Sequence, residues 1–97
     1  MAAIMIAQIQ VDDAEQYKEY QRQVIPTIDQ FGGRVLAAEA RPSVIEGEWA
    51  ANMTVVIEWP SVECAQEWYD ADVYADAKAL RHRISKANLV FLRGIPR

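Results

Sequence analysis

Ninety-seven residues, 52% of them apolar and 25% charged, set the size and ordinary globular composition of one folded domain and leave no room for two. Ten Lys and Arg against fourteen Asp and Glu give a formal charge of −4, and the densest basic cluster, Arg81, His82, Arg83 and Lys86, lies beside Asp70, Asp72 and Asp76, so the basic stripe of a nucleic-acid binder is missing. The single cysteine, Cys64, excludes an intramolecular disulfide and a multi-cysteine zinc site, and no apolar run nears the roughly 20 residues of a membrane span.

The opening stretch has no basic start and meets Gln8 and Gln10 too early for a signal peptide, so a cytoplasmic protein is expected. It reads instead as a first strand from about Ile4 to Val11. Met5, Ala7, Ile9 and Val11 form one wholly apolar alternation; Ile4, Ile6, Gln8 and Gln10 form the other, apolar and then polar. Asp12 is placed to cap a helix, with Glu15 three residues on in capping-box position. The stripe Ala14, Tyr17, Tyr20, Val24, Ile28 and Phe31 gives that helix one apolar face. Pro26 removes a donor and crowds the preceding turn, which predicts a kink or a restart there, and Gly32-Gly33 supplies the stop.

Arg34 to about Glu39 makes a second, alanine-weakened strand. Arg41 to Trp49, with Pro42, Ser43 and Gly47, reads as a hairpin connection from which Glu46 and Trp49 face solvent or reach a partner subunit. Met53 to Trp59 is the clearest strand. Met53, Val55, Ile57 and Trp59 share one side of it, and Thr54, Val56 and Glu58 the other. Pro60-Ser61 ends that strand and caps a helix whose apolar side is Val62, Ala65, Trp68 and Tyr69. Asp72 is expected to cap a further helical piece carrying Val73, Ala77, Leu80 and Ile84, and a strand from about Ala87 to Arg93 closes the chain.

Strand, helix, two strands, helix, strand is the order of a ferredoxin-like βαββαβ fold of the α+β class. Right-handed crossovers put both helices on one face of a four-stranded antiparallel sheet. The other face would expose Ile4, Ile6, Val56 and part of the last strand, a patch that soluble monomers rarely leave bare. A homodimer through the open sheet face is therefore expected.

Several segments together resemble a known family: Val24-Ile-Pro-Thr-Ile-Asp-Gln-Phe-Gly-Gly-Arg34, Ile45-Glu-Gly-Glu-Trp49, Val55-Val-Ile-Glu-Trp-Pro-Ser61, and Glu67-Trp-Tyr-Asp70 with Tyr74. In order and spacing they are similar to the bacterial domain of unknown function 1330 (DUF1330), within the dimeric α/β-barrel superfamily. Relatives in that superfamily include small monooxygenases, muconolactone isomerase and haem-dependent chlorite dismutases. The resemblance implies the fold and a dimer. Two departures bear on any pocket: Ala37-Ala-Glu-Ala40 stands where members often carry glycines, and Ile4-Met5 where the first strand usually has an aromatic.

For chemistry, His82 is the only histidine and sits between two arginines, where an exposed helical residue is expected; no ligands cluster, so no metal and no cofactor are expected. Cys64, in a helix's first turn without a neighbouring histidine, reads as a half-buried packing residue. Tyr17, Tyr20, Trp59, Trp68, Tyr69 and Tyr74 read first as core, and second as the lining of a small apolar pocket with a few directed donors. Glu58 is the candidate base, with Tyr69 or Tyr74 as hydrogen-bond donor and Arg34 as an anchor for an anionic ligand; the plainer alternative pairs Glu58 with Arg34 or Arg93. Arg81 reads as a solvated charge by default, with Glu67 or a ligand carboxylate as its other possible partners. The expected function is the binding of a small apolar or carboxylate-bearing molecule between sheet and helices. The alternative is a cofactor-free enzyme of the isomerase, proton-transfer or monooxygenase-like kind.

Overall fold

In a computed structural model that describes residues 2–96, the alternations become seven elements: β1 (Ala3–Val11), α1 (Ala14–Gln30), β2 (Arg34–Glu39), β3 (Met53–Trp59), α2 (Val62–Asp70), α3 (Asp72–Ile84) and β4 (Ser85–Arg93). The strands form one antiparallel sheet in the order β2-β3-β1-β4. This is the ferredoxin-like arrangement, with the two crossovers carrying all three helices to one face.

Period-two burial decides which face that is. Ala3, Met5, Ala7 and Ile9 of β1 are buried, as are Ile57 and Trp59 of β3, and all join the core with Tyr17, Tyr20, Val24 and Ile28 of α1, Ala65 and Trp68 of α2, and Tyr74, Ala77, Leu80 and Ile84 of α3. The opposite parity lies on the open face: Ile4 stands between Glu58 and Leu92, and Ile6 between Val56 and Val90. Val90 and Leu92 keep 50% and 48% of their surface in solvent.

Local chemistry corrects the sequence reading at three helix ends or turns. Asp13, not Asp12, caps α1: its carboxylate accepts from the Gln16 backbone N–H at 3.1 Å and the Gln16 side-chain amide at 2.9 Å. Those two bonds, the side-chain one first, hold the Asp13 carboxyl below the usual range. Pro26 does not interrupt α1, which runs on to Gln30. Beside the proline the Thr27 hydroxyl donates to the Val24 carbonyl at 2.6 Å. Asp72 is the first residue of α3 rather than its cap; Ala71 occupies the cap position without a side-chain bond, and Asp72 serves the positive end of the helix dipole from the first turn.

Ser61 caps α2 as expected, accepting from the Cys64 N–H at 3.0 Å. Both glycines after α1 have a physical reason. Gly32 takes a φ of 80°, and a Cβ on Gly33 would stand 2.7 Å from both Ile28 Cγ2 and Trp59 Cζ3. Residues 40–52 form no regular element. The segment is tied back by Asn52, whose side chain accepts from Val11 N–H at 2.7 Å and donates to Val11 C=O at 3.0 Å, and by the Trp49 indole N–H, which donates to Thr54 Oγ1 at 2.9 Å. Glu46 is exposed and Ile45 is 94% exposed. No described helix is long and apolar enough to cross a membrane.

Candidate functional site

α1 lies over the sheet without filling the space beneath it. β2 is an edge strand, and its helix-side residues Val35 and Ala38 stay exposed, so a cavity of about 100 Å³ opens between α1 and the β3–β2 side of the sheet. Its body is lined by Tyr17, Tyr20, Val24, Ile28, Ile57 and Trp68. Gln21 and Ile25 of α1 and Val35 and Ala38 of β2 also line it, and Ile25 and Val35 are exposed. An engineered apolar cavity of about 150 Å³ accommodates benzene, so this space is of the order of one small ring.

Few polar groups reach it, and they are linked. Arg81, a residue only 3% exposed, donates from Nε to the Tyr74 hydroxyl at 3.3 Å, and the Tyr74 and Tyr20 hydroxyls stand 2.9 Å apart. Guanidinium can only donate, so the Tyr74 oxygen accepts there. Tyr74 is 0% exposed and its hydroxyl has no third partner among the described residues, so its single proton is satisfied only by donation to Tyr20. The Tyr20 proton is then the free end of the chain, on a residue that lines the cavity. Burial, first, and the neighbouring Tyr74 push the Tyr20 hydroxyl well above the usual tyrosine range, and burial pushes Tyr17 up to about 12. Both are neutral donors at physiological pH.

Behind this chain the aromatics form one cluster. Trp68 stacks on Tyr74 with ring centroids 4.1 Å apart and packs against Trp59 at 4.9 Å. Its indole N–H donates to Thr27 Oγ1 at 2.9 Å. Of the aromatics singled out in the sequence, Tyr17, Tyr20 and Trp68 line the cavity. Tyr74 reaches it through Tyr20, and Tyr69 flanks Trp68 and Tyr74. Trp59 backs the cluster without lining the cavity, and its buried Nε1 has no partner among the described residues.

Arg34 and Glu58 do not join them. They pair with each other at 3.0 Å on the open face, because the parity that sends Ile57 and Trp59 toward the helices turns residue 58 away. Of the two readings the sequence offered for Glu58, the ion pair with Arg34 is the one present, and neither residue lines the cavity under α1. The arginine that does reach it is Arg81, which is buried rather than solvated. The inward turn of Arg81 carried a signal: Tyr74, Ala77, Arg81 and Ile84 follow one another at three, four and three, on one helix face. Thr27 likewise lies seven residues after Tyr20.

A second cavity, of about 370 Å³, lies beyond Arg81 between α2, α3 and β4. Arg81 and Leu89 belong to both walls. Near it Lys78 donates to the Tyr69 carbonyl at 2.8 Å and sits 4.3 Å above the Tyr69 ring. His82 is exposed, and desolvation, then the charges of Arg81 and Lys78, hold its imidazole below the usual value. Among the described residues, no group of three or more His, Cys, Asp or Glu is placed to hold a metal ion.

Comparison with known proteins agrees with this architecture. The family profile described as domain of unknown function (DUF1330) matches residues 2–95. No curated protein matches the chain. RPA0582 from Rhodopseudomonas palustris, a protein of unknown function, superposes with a TM-score of 0.80 at 20% identity, over 99% of this chain and 84% of that one. SnoaB from Streptomyces nogalater, a cofactor-independent oxygenase, gives 0.71 at 8% identity over 99% and 95%. The de novo designed protein Foldit4 gives 0.67 at 12% identity over 98% and 100%. A fold shared by an oxygenase and a designed chain does not fix a function.

Proposed function

The chain belongs to the DUF1330 family, and from that premise we propose that it is a homodimeric small-molecule binder. It takes a ring-sized, largely apolar molecule bearing one carbonyl or hydroxyl oxygen into the cavity under α1, with that oxygen accepting from the Tyr20 hydroxyl. The observation that carries this reading is the Arg81–Tyr74–Tyr20 chain, whose inferred direction leaves the Tyr20 hydroxyl as a donor on a mainly apolar wall. A buried donor left without an acceptor is costly, and a ligand oxygen supplies one.

The dimer reading rests on surface. The chain exposes 6488 Å², roughly 900 Å² more than the approximately 5,600 Å² of a typical monomer of its mass. That excess is close to the ~800 Å² each partner buries in a standard interface. The open face offers Ile4, Ile6, Val56, Val90 and Leu92 as a self-complementary apolar centre, with Gln8, Asn88 and Thr54 beside it. The fold also has the alternative, a cofactor-free enzyme, in view through its likeness to SnoaB. A proton-transfer role needs a base, and the carboxylate first considered for it, Glu58, lies on the other face of the sheet. Binding is therefore the better supported reading.

The test compares two probes of equal shape, acetophenone and ethylbenzene, by quenching of tryptophan fluorescence in the wild type and in Tyr20→Phe. The expected result is a roughly three- to tenfold loss of acetophenone affinity, the worth of one neutral hydrogen bond, with ethylbenzene affinity unchanged. Equal losses for both probes, or binding of neither by the wild type, would refute the reading.

A further inference from the structure

Charge is distributed unevenly in this protein. Three exposed cations have carboxylate partners: Lys18 with Glu15, Arg22 with Glu19, and Arg34 with Glu58. Arg81, the buried one, has none within ion-pair distance among the described residues. Of its five N–H groups, one is used by the Tyr74 hydroxyl, and Nη2 stands 3.5 Å from His82 Nε2, at the limit of a bond. The remainder meet no protein acceptor among the described residues. Nor does Lys78 have a carboxylate within ion-pair distance among those residues. In a chain of net charge −4 this is a sheltered positive pole.

A buried cation without a counter-charge is expensive to keep, and its one long bond to Tyr74 offsets only part of that cost. The second cavity supplies the reason. Arg81 stands in its wall, which joins the aromatic and apolar Tyr69, Leu89 and Phe91 to the polar Gln66, His82 and Ser85, so donors and apolar surface border one space. A carboxylate matches a guanidinium fork with two parallel bonds, and a phenyl-sized body matches the part of the wall made by Tyr69, Leu89 and Phe91. We propose that this cavity, between α2, α3 and β4, is a binding site for a small aromatic carboxylate, its carboxylate on the Arg81 guanidinium and its ring against Tyr69, Leu89 and Phe91. The site is separate from the one under α1 and meets it at Arg81.

Isothermal titration of the full chain with benzoate, benzamide and inorganic phosphate tests the assignment. Benzoate is expected to bind at least about tenfold more tightly than benzamide, the neutral isostere, because a hydrogen bond to a charged pair is worth that much or more. Phosphate, which lacks the ring, is expected to bind more weakly than benzoate. Arg81→Met is expected to lose benzoate binding; its melting temperature falls with the Tyr74 bond it gives up, offset in part because an apolar side chain replaces an unpaired charge. An arginine with a structural role alone would instead give the same fall in melting temperature with benzoate binding retained. If Arg81→Met does not fold, Arg81→Lys keeps the charge without the fork, and a benzoate affinity equal to wild type would overturn the proposal. So would equal affinities for benzoate and benzamide, or phosphate binding as tightly as benzoate.

Discussion

Replacing Tyr74 by Phe removes one oxygen from the interior and nothing else, and the structure says what should follow. Tyr74 is 0% exposed, so no water takes the oxygen's place. Two bonds are lost: the one accepted from Arg81 at 3.3 Å and the one shared with Tyr20 at 2.9 Å. A bond to a charged group contributes about 1.5–3 kcal/mol and a neutral one about 0.5–1.5 kcal/mol; the first is long here, so the lower figures apply and the loss should be about 2–3 kcal/mol. For a domain of this size that is a fall in Tm of roughly 10–20 °C. Tyr20→Phe, which breaks only the neutral bond, should cost about 1 kcal/mol. The double variant should cost scarcely more than Tyr74→Phe alone, giving a coupling of about 1 kcal/mol in the cycle. Urea unfolding followed by tryptophan fluorescence, at one fixed protein concentration, measures all four forms. A loss below about 0.5 kcal/mol for Tyr74→Phe, or full additivity of the two substitutions, would show that the three side chains do not act as a linked chain.

Further predictions concern pH, the open face and the carboxylate outside the cavity. Tyr17 has a folded-state pKa raised to about 12 from an ordinary 10, so the unfolded chain releases its proton first as pH rises. Its contribution is fully present below pH 10 and is lost between about 10 and 12, on the order of 3 kcal/mol, with Tyr20 acting in the same direction. Urea midpoints measured across that window should fall steeply; a flat profile would contradict the burial of these hydroxyls. Val90→Lys, in the middle of the open apolar patch, should convert a dimer to a monomer by sedimentation at micromolar concentration; an unchanged sedimentation coefficient would place the interface elsewhere. Glu58→Gln breaks only a half-exposed ion pair with Arg34, worth about 0.2–1 kcal/mol, and should leave acetophenone affinity as it is; a large loss of affinity would put Glu58 back into the site.

The strands were legible because burial on one side of a sheet imposes parity on the sequence. Met53 to Trp59 carried its bounds and both its faces in the alternation of seven side chains. Parity does not say which face meets the helices when both are apolar, and in β3 Val56 competes with Ile57; that choice is made by Trp59 lying against Gly33 and Trp68. It is also what removed Glu58 from the pocket. The aromatic half of the site was legible from helical spacing alone. Its charged member was not, since Arg81 is followed by His82 and Arg83, and three basic residues in a row read as solvent-facing. Only the register set by Tyr74, Ala77 and Ile84 turns the first of them inward. Pro26 was misleading for a similar reason. Local sterics argue for a break, and packing of Tyr20, Val24 and Ile28 on the sheet holds the helix through it.

The central claim is that the space under α1 is a binding site in which the Tyr20 hydroxyl donates to the ligand's oxygen. Backbone amide NMR of the isotope-labelled protein titrated with acetophenone tests it most directly. Saturable shifts should concentrate at Tyr17, Tyr20, Val24, Ile28 and Ile57, with the open-face residues Ile6 and Val90 undisturbed. Shifts confined to the open face, or none that saturate, would contradict the claim.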